Sequence, residues 1–284
     1  MKTFLALTEL TKPRICLLAL LMAGLGFFLG ASDFNGELFV YSLIGIGLVG
    51  ISSGALNQYL ERDIDGLMHR TRHRPLPSGR CSPNHALILG SSAGIVGALL
   101  LLFAVNAVTA VLAAATLLFY LAVYTPSKRV TPLSTLVGAI PGAMPPLLGY
   151  TSSHGSMDLG GVLLFGILFL WQIPHFLAIA WIYQEDYARA KMPVLPLVDK
   201  NGTRTARQVV TYSLVLLPLS LVPAAWGWMG HFYFNGAMIL GLLFLSVSLL
   251  WATYRSKALA RRLFLASIIY LPALCFVMLW DRIF

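Results

Sequence analysis

The sequence predicts an all-α, polytopic membrane protein with nine transmembrane helices around a central intramembrane cavity. Three observations carry that prediction. Hydrophobic residues make up 58% of the 284-residue chain and charged residues only 11%, whereas an ordinary soluble domain carries about 25% charged residues. Nine apolar stretches each come near the roughly 20 residues that a spanning helix requires. The Lys and Arg residues cluster on alternate connections, as membrane topology demands.

In chain order the stretches lie at about 15–31, 38–60, 84–105, 107–124, 133–150, 159–182, 209–229, 232–251 and 264–281. The first follows Lys2, Lys12 and Arg14 and has the outline of a signal peptide. It is long, however, and Leu29-Gly30-Ala31-Ser32 makes a poor cleavage site, so it is expected to remain as the first span. A short turn at 33–37 leads to the second span, and a narrow break divides the third from the fourth. The fifth contains Gly138-Ala139-Ile140-Pro141-Gly142-Ala143-Met144-Pro145-Pro146. Such residues serve close helix packing, or break a helix where it is buried or lines a cavity. The sixth ends on Glu185 and Asp186.

The net charge of +9 follows the same topology. Five arginines within 62–80 follow span two, and Lys128 and Arg129 follow span four. Arg189, Lys191, Lys200, Arg204 and Arg207 follow span six, and Arg255, Lys257, Arg261 and Arg262 follow span eight. All lie on one side of a nine-span chain, and Arg282 alone lies on the other. This places the amino terminus in the cytoplasm and the carboxyl terminus opposite, and it argues against a nucleic-acid partner. Cys16, Cys81 and Cys275 show no disulfide or zinc spacing. The two longest hydrophilic connections, about 61–83 and 183–208, both open on acidic residues and divide the chain into two loosely similar four-helix halves plus a ninth helix. No linker intervenes, so residues 1–284 are expected to form one domain.

Asn57, Glu61 and Asp65 are spaced four apart where span two meets its connection, so an extended helix stacks them on one face. An interfacial helix end exposed to water is one reading. The other is a site for Mg²⁺, which takes one or two carboxylates and completes its shell with water and substrate phosphate oxygens. Arg70, Arg72, Arg74 and Arg80 follow at once, and fixed cations beside metal-binding carboxylates suit a diphosphate. Asp63 points elsewhere and is expected to pair with an arginine. Lys128 and Arg129 either anchor span four or help to neutralise the same diphosphate. In the second acidic region, one helix face can be traced from Asp186 through Tyr183 and Ile179 to His175 and Gln172. Polar groups at that depth in a bilayer favour a functional role, and Trp171-Gln172-Ile173-Pro174-His175-Phe176 holds them in an aromatic, proline-kinked segment.

Several segments together resemble the intramembrane prenyltransferase superfamily of the ubiquinone and menaquinone pathways, and most closely its haem-modifying branch. They are Thr11-Lys12-Pro13-Arg14-Ile15, Asn57-Gln58-Tyr59-Leu60-Glu61-Arg62-Asp63-Ile64-Asp65, residues 68–79, 124–132 and 138–149, the Trp171-to-Phe176 segment, Asp186-Tyr187, and Met192-Pro193-Val194-Leu195-Pro196. The match runs in order over most of 11–200. Two departures stand out: Glu61 replaces an aspartate common in the first motif, and Ile182 stands where the second motif repeats its aspartate. The resemblance implies farnesyl transfer from farnesyl diphosphate to a vinyl group of haem b in the cell inner membrane. It assigns Mg²⁺ to Asn57, Glu61, Asp65 and Asp186, with Glu185 beside the last. It also assigns diphosphate to Arg74, Lys128 and Arg129, and haem contact to His175, Gln172 and Trp171. A terminal oxidase or haem-modifying enzyme is the implied protein partner. An aromatic quinone precursor as acceptor, or a transporter built on the same spans, are the competing readings.

Overall fold

The computed structural model describes residues 2–284, with side chains from Leu5 onward, so the Lys2 side chain lies outside the described residues. All regular structure among these residues is helical. Short α1 (Lys2–Leu10) precedes α2 (Pro13–Gly30), α3 (Gly36–Asp65), α4 (Pro83–Ala104) and α5 (Ala107–Phe119). A π-helical turn, Tyr120–Tyr124, continues α5 into α6 (Thr125–Val130), followed by α7 (Ser134–Gly142), α8 (Met144–His154) and α9 (Leu159–Ile182). Two short helices, α10 (Gln184–Arg189) and α11 (Leu195–Val198), lead to α12 (Thr203–Ala225), α13 (His231–Tyr254) and α14 (Lys257–Ile283).

Eight of these segments are long and apolar enough to cross a membrane unbroken, α5 and α6 counting as one. The pair α7 and α8 forms the ninth crossing, interrupted at Ala143 (φ −91°, ψ −4°), where Pro145 and Pro146 can open a new helix but cannot continue the old one. The contacts at the two ends of the pair show that it traverses the bundle. Just before α7, Arg129 pairs with Asp63 near the end of α3. At the far end of α8, Ser153 donates to the Phe27 carbonyl, and the Thr151 carbonyl accepts from Asn106 at the start of α5. The small residues of this region also pack closely. A Cβ on Gly149 would lie 1.8 Å from the Ala23 carbonyl oxygen, and one on Gly26 would lie 2.0 Å from that of Pro146, so α2 and α8 meet backbone to backbone.

Side-chain caps set the starts of five of the long helices. Asn35, Ser82, Asn106, Asp158 and Ser256 each accept from a backbone N–H in the first turn of the adjoining helix. These caps place α14 at Lys257, seven residues ahead of the apolar stretch at 264. Asp199 likewise binds the Thr205 N–H and hydroxyl, so α12 begins at Thr203 and ends at Ala225 instead of spanning 209–229. The face traced from Asp186 back to Gln172 is not continuous: α9 stops at Tyr183 (φ −107°, ψ 29°), and Asp186 belongs to separate α10. A large apolar core joins α9, α12, α13 and α14 around Leu177, Leu216, Tyr233, Trp251 and Leu263. A smaller core joins α2–α5 and α8 around Ile46, Leu101, Ala113 and Leu147.

Candidate active site

Helix α3 continues past the apolar stretch to Asp65, and its last turns carry Asn57, Glu61 and Asp65 inward with 1%, 5% and 1% of their surfaces exposed. Two contacts hold this end in place. Ile64 packs with Met68, Ala190 and Met192, and the Thr71 hydroxyl donates to the Asp65 carbonyl, satisfying one of the helix's terminal acceptors. The connection after α3 then folds through tight turns that bring Arg74 back over the helix end.

Each member of the row faces a cation. Arg74 Nη1 lies 2.7 and 2.9 Å from the two Asp65 carboxylate oxygens. Lys128 Nζ lies 2.8 Å from Glu61 Oε1 and 3.0 Å from Oε2. Lys12 Nζ donates to Asn57 Oδ1 at 2.7 Å, while Asn57 Nδ2 donates to Thr125 Oγ1 at 3.3 Å. The π turn at Tyr120–Tyr124 helps to assemble this side: the Thr125 N–H bonds to the Tyr120 carbonyl five residues back, and Lys128 Nζ sits 4.5 Å from the Tyr124 ring centre. A residue inserted in this way rotates the helix beyond it, a device found often at functional sites. Lys12 reaches the row from a left-handed turn (φ 50°) between α1 and α2. Burial, and after it repulsion from Arg74 and Lys128, brings its ammonium pKa down to about 7.

Below the row lies an elongated cavity of about 220 Å³. Thr11 and Lys12 stand at one end, Met144 and Leu148 line it deeper in, and Ile46, Val49 and Leu117 form apolar walls. Gly142 and Pro145, at the break between α7 and α8, also line it. A larger hollow of about 350 Å³ opens outward beside Asp63, Leu67 and Arg129, on the opposite face of α3, and holds none of the row.

The remaining sequence-derived candidates fall into two groups. Asp186 is buried, accepts from the His69 N–H at 3.1 Å and pairs with Arg189, so it ties the connection after α3 to α10. Burial raises its pKa, but Arg189 and the backbone donor outweigh that and leave it lowered. Gln172 is also buried, donating to the Ala139 carbonyl of α7 and lying against Gly142 of the cavity wall. The others point away from the row. Arg129 makes a two-pronged pair with exposed Asp63, the local partner expected for that aspartate. Glu185, 75% exposed, pairs with Lys257 of α14, which lowers its pKa. Trp171 and His175 face α14, where both contact Ser267.

Sequence reasoning missed Lys12 and Thr125 as members of the site. Both sit inside segments whose motifs are visible, but Lys12 reads as one of the topology-setting cations and Thr125 carries no charge.

Buried acidic and cationic groups, gathered at one end of nine helical crossings and above an apolar cavity, define an intramembrane enzyme for substrates with a charged head and an apolar tail. The chain belongs to the UbiA prenyltransferase family, which matches residues 17–269. It is 46% identical over 284 aligned residues to a protein of Solibacter usitatus (strain Ellin6076) named protoheme IX farnesyltransferase, covering 96% of this chain and 97% of that one. The fold is similar to a solved digeranylgeranylglyceryl phosphate synthase (TM-score 0.85, 19% identity, 100% of this chain and 99% of that one). It is also similar to a UbiA homologue from Archaeoglobus fulgidus bound to GPP and Mg²⁺ (TM-score 0.65, 15% identity, 96% and 99%). This protein is therefore a multi-pass membrane prenyltransferase.

Proposed function

We propose that the protein transfers the farnesyl group of farnesyl diphosphate to a vinyl group of haem b, releasing diphosphate, and that water addition then gives the hydroxyethylfarnesyl side chain of haem O. The observation that carries the transfer chemistry is the buried Asn57, Glu61 and Asp65 row, with a cation on each member, above an apolar cavity. The name of the Solibacter relative supports haem as acceptor. Membership of a prenyltransferase family weighs against transport, and nothing in the site favours an aromatic acid over haem.

The oxygen-only row suits Mg²⁺. No three His, Cys, Asp or Glu among the described residues form a complete metal cage, and Mg²⁺ characteristically leaves part of its shell to substrate phosphates. Asn57, Glu61 and Asp65, joined by Asp186, would hold the ion, and Mg²⁺ bound in the Archaeoglobus protein supports the choice of metal. When bound, it offsets the charge that develops on the departing diphosphate oxygens. Lys12, Arg74 and Lys128 bind the same oxygens, whereas Arg129, paired with Asp63 on the other side of α3, does not reach them.

As the allylic C–O bond breaks, the electron pair leaves with diphosphate, and the fixed cations stabilise it where little reorganisation is needed. The apolar cavity holds the farnesyl chain and keeps water from the allylic cation until the vinyl carbon attacks. Water then adds to the carbon left electron-poor and loses a proton. Trp171, Gln172 and His175 are the haem-contacting residues. The Asp65 end and the amino terminus face the cytoplasm in the cell inner membrane, and a terminal oxidase or haem-modifying enzyme would receive the product. Purified protein given haem b, farnesyl diphosphate and Mg²⁺ should yield a heavier, more hydrophobic haem by chromatography and mass analysis. Product formed only from an aromatic acid would overturn the choice of acceptor.

A further inference from the structure

Trp171 and His175, one turn apart on α9, both reach Ser267 of α14. The Trp171 indole N–H donates to the Ser267 carbonyl at 2.8 Å, and His175 Nδ1 lies 2.7 Å from Ser267 Oγ. The Ser267 hydroxyl donates to the Phe264 carbonyl at 2.6 Å, which commits its one proton. Its oxygen must then accept from His175, so Nδ1 carries a ring hydrogen, and in the neutral ring Nε2 keeps its lone pair. Nε2 has no hydrogen-bond partner among the described residues, and it is not sealed beneath protein atoms.

The ring is also fixed in plane. It stacks on Trp171 with centroids 4.9 Å apart and 23° between planes, and it meets Phe264 at 5.1 Å and Phe176 edge-on at 5.3 Å. His175 lies seven residues before the end of α9, about 10 Å along the helix and away from bulk water. A neutral imidazole with its N–H donated to a neighbour and its other nitrogen bare is the arrangement of a metal ligand oriented by an outer partner.

We propose that Ser267 is a positioning residue that holds His175 in this tautomer, presenting Nε2 as an axial ligand to the iron of the haem acceptor. This rests on the haem-farnesylation reading and adds how the acceptor is oriented. Ligation fixes the porphyrin plane relative to α9. Ser267 is fully buried, and its hydroxyl answers the imidazole from the neighbouring helix.

The test is a titration of the purified protein with ferric haem b, read by absorption and low-temperature electron paramagnetic resonance. Wild-type protein should show an imidazole-ligated iron. His175→Ala should lose that signature and regain it with added imidazole. Ser267→Ala should weaken haem binding by about 10–100-fold, the usual effect of removing an outer partner, while Ser267→Thr retains it. An imidazole signature that persists in His175→Ala, or haem affinity and spectrum unchanged in Ser267→Ala, would overturn the proposal. Normal farnesyl transfer without an imidazole signature would also overturn the ligation while keeping the reaction. Conversely, haem ligated through His175 with no farnesylated product would support the ligation and remove the proposed function.

Discussion

The two acidic regions at the Asp65 end of the bundle look alike in sequence and are built differently. The first lies on one unbroken helix, so its four-residue spacing survives as a single buried face with Lys12, Lys128 and Arg74 brought to it from three other segments. The second lies beyond a helix break at Tyr183, and its adjacent carboxylates diverge: Asp186 inward to the His69 N–H, Glu185 outward to Lys257. Acidic residues stay gathered on one buried face when the backbone beneath them keeps their spacing. Where the backbone turns, one becomes a tether and the other a surface ion pair.

The largest test of this contrast is removal of the metal. Chelation should abolish prenyl transfer, measured by product mass, and added Mg²⁺ should restore it. Turnover unaffected by chelation would remove the metal role of the row. Next comes Asp65→Asn, which keeps side-chain volume while discarding a charge; kcat/KM should fall by about 10²–10³-fold, comparable to the loss of a preorganised electrostatic contact. A normally inserted variant with full Mg²⁺-dependent turnover would contradict the assignment.

The adjacent cations provide a paired measurement. Lys128→Met should lower kcat/KM by about 10²-fold, whereas Arg129→Met, which breaks only an exposed pair with Asp63, should change it by less than about threefold. Equal losses would mean that the outward direction of Arg129 does not describe the working enzyme. The smallest effects separate the second pair of carboxylates. Asp186→Asn should cost about tenfold in turnover through the loosened connection after α3 and a weakened metal shell, since orienting partners often cost 10–100-fold. Glu185→Gln should leave turnover and thermal midpoint unchanged within error; matched losses would show that the two carboxylates act together.

Much of the fold was legible because bilayer thickness and the absence of water constrain composition along the chain. The glycines and prolines of 138–146 allowed either close packing or a break, and the structure shows both near Ala143, while the Asn57, Glu61 and Asp65 face was visible in its spacing. Less legible was the pairing of cations. Lys12 and Arg14 precede the same span, yet only Lys12, turned inward by a left-handed backbone, meets Asn57. Lys128 and Arg129 are neighbours in sequence, and the step of about 100° between consecutive helix residues sends them to opposite sides of α3.

Local sequence was enough to establish that this protein crosses a membrane many times, that its acidic row is one helix face, and which family's motifs it carries. These are properties of period and composition, set by the helix repeat and by the cost of exposing polar groups to lipid. Packing between distant segments decided which cations meet the row, that Glu185 and Asp186 part company, and that His175 turns toward Ser267 on α14. Those outcomes depend on where distant helices dock and how each is rotated about its axis, which residue spacing within a single segment does not specify.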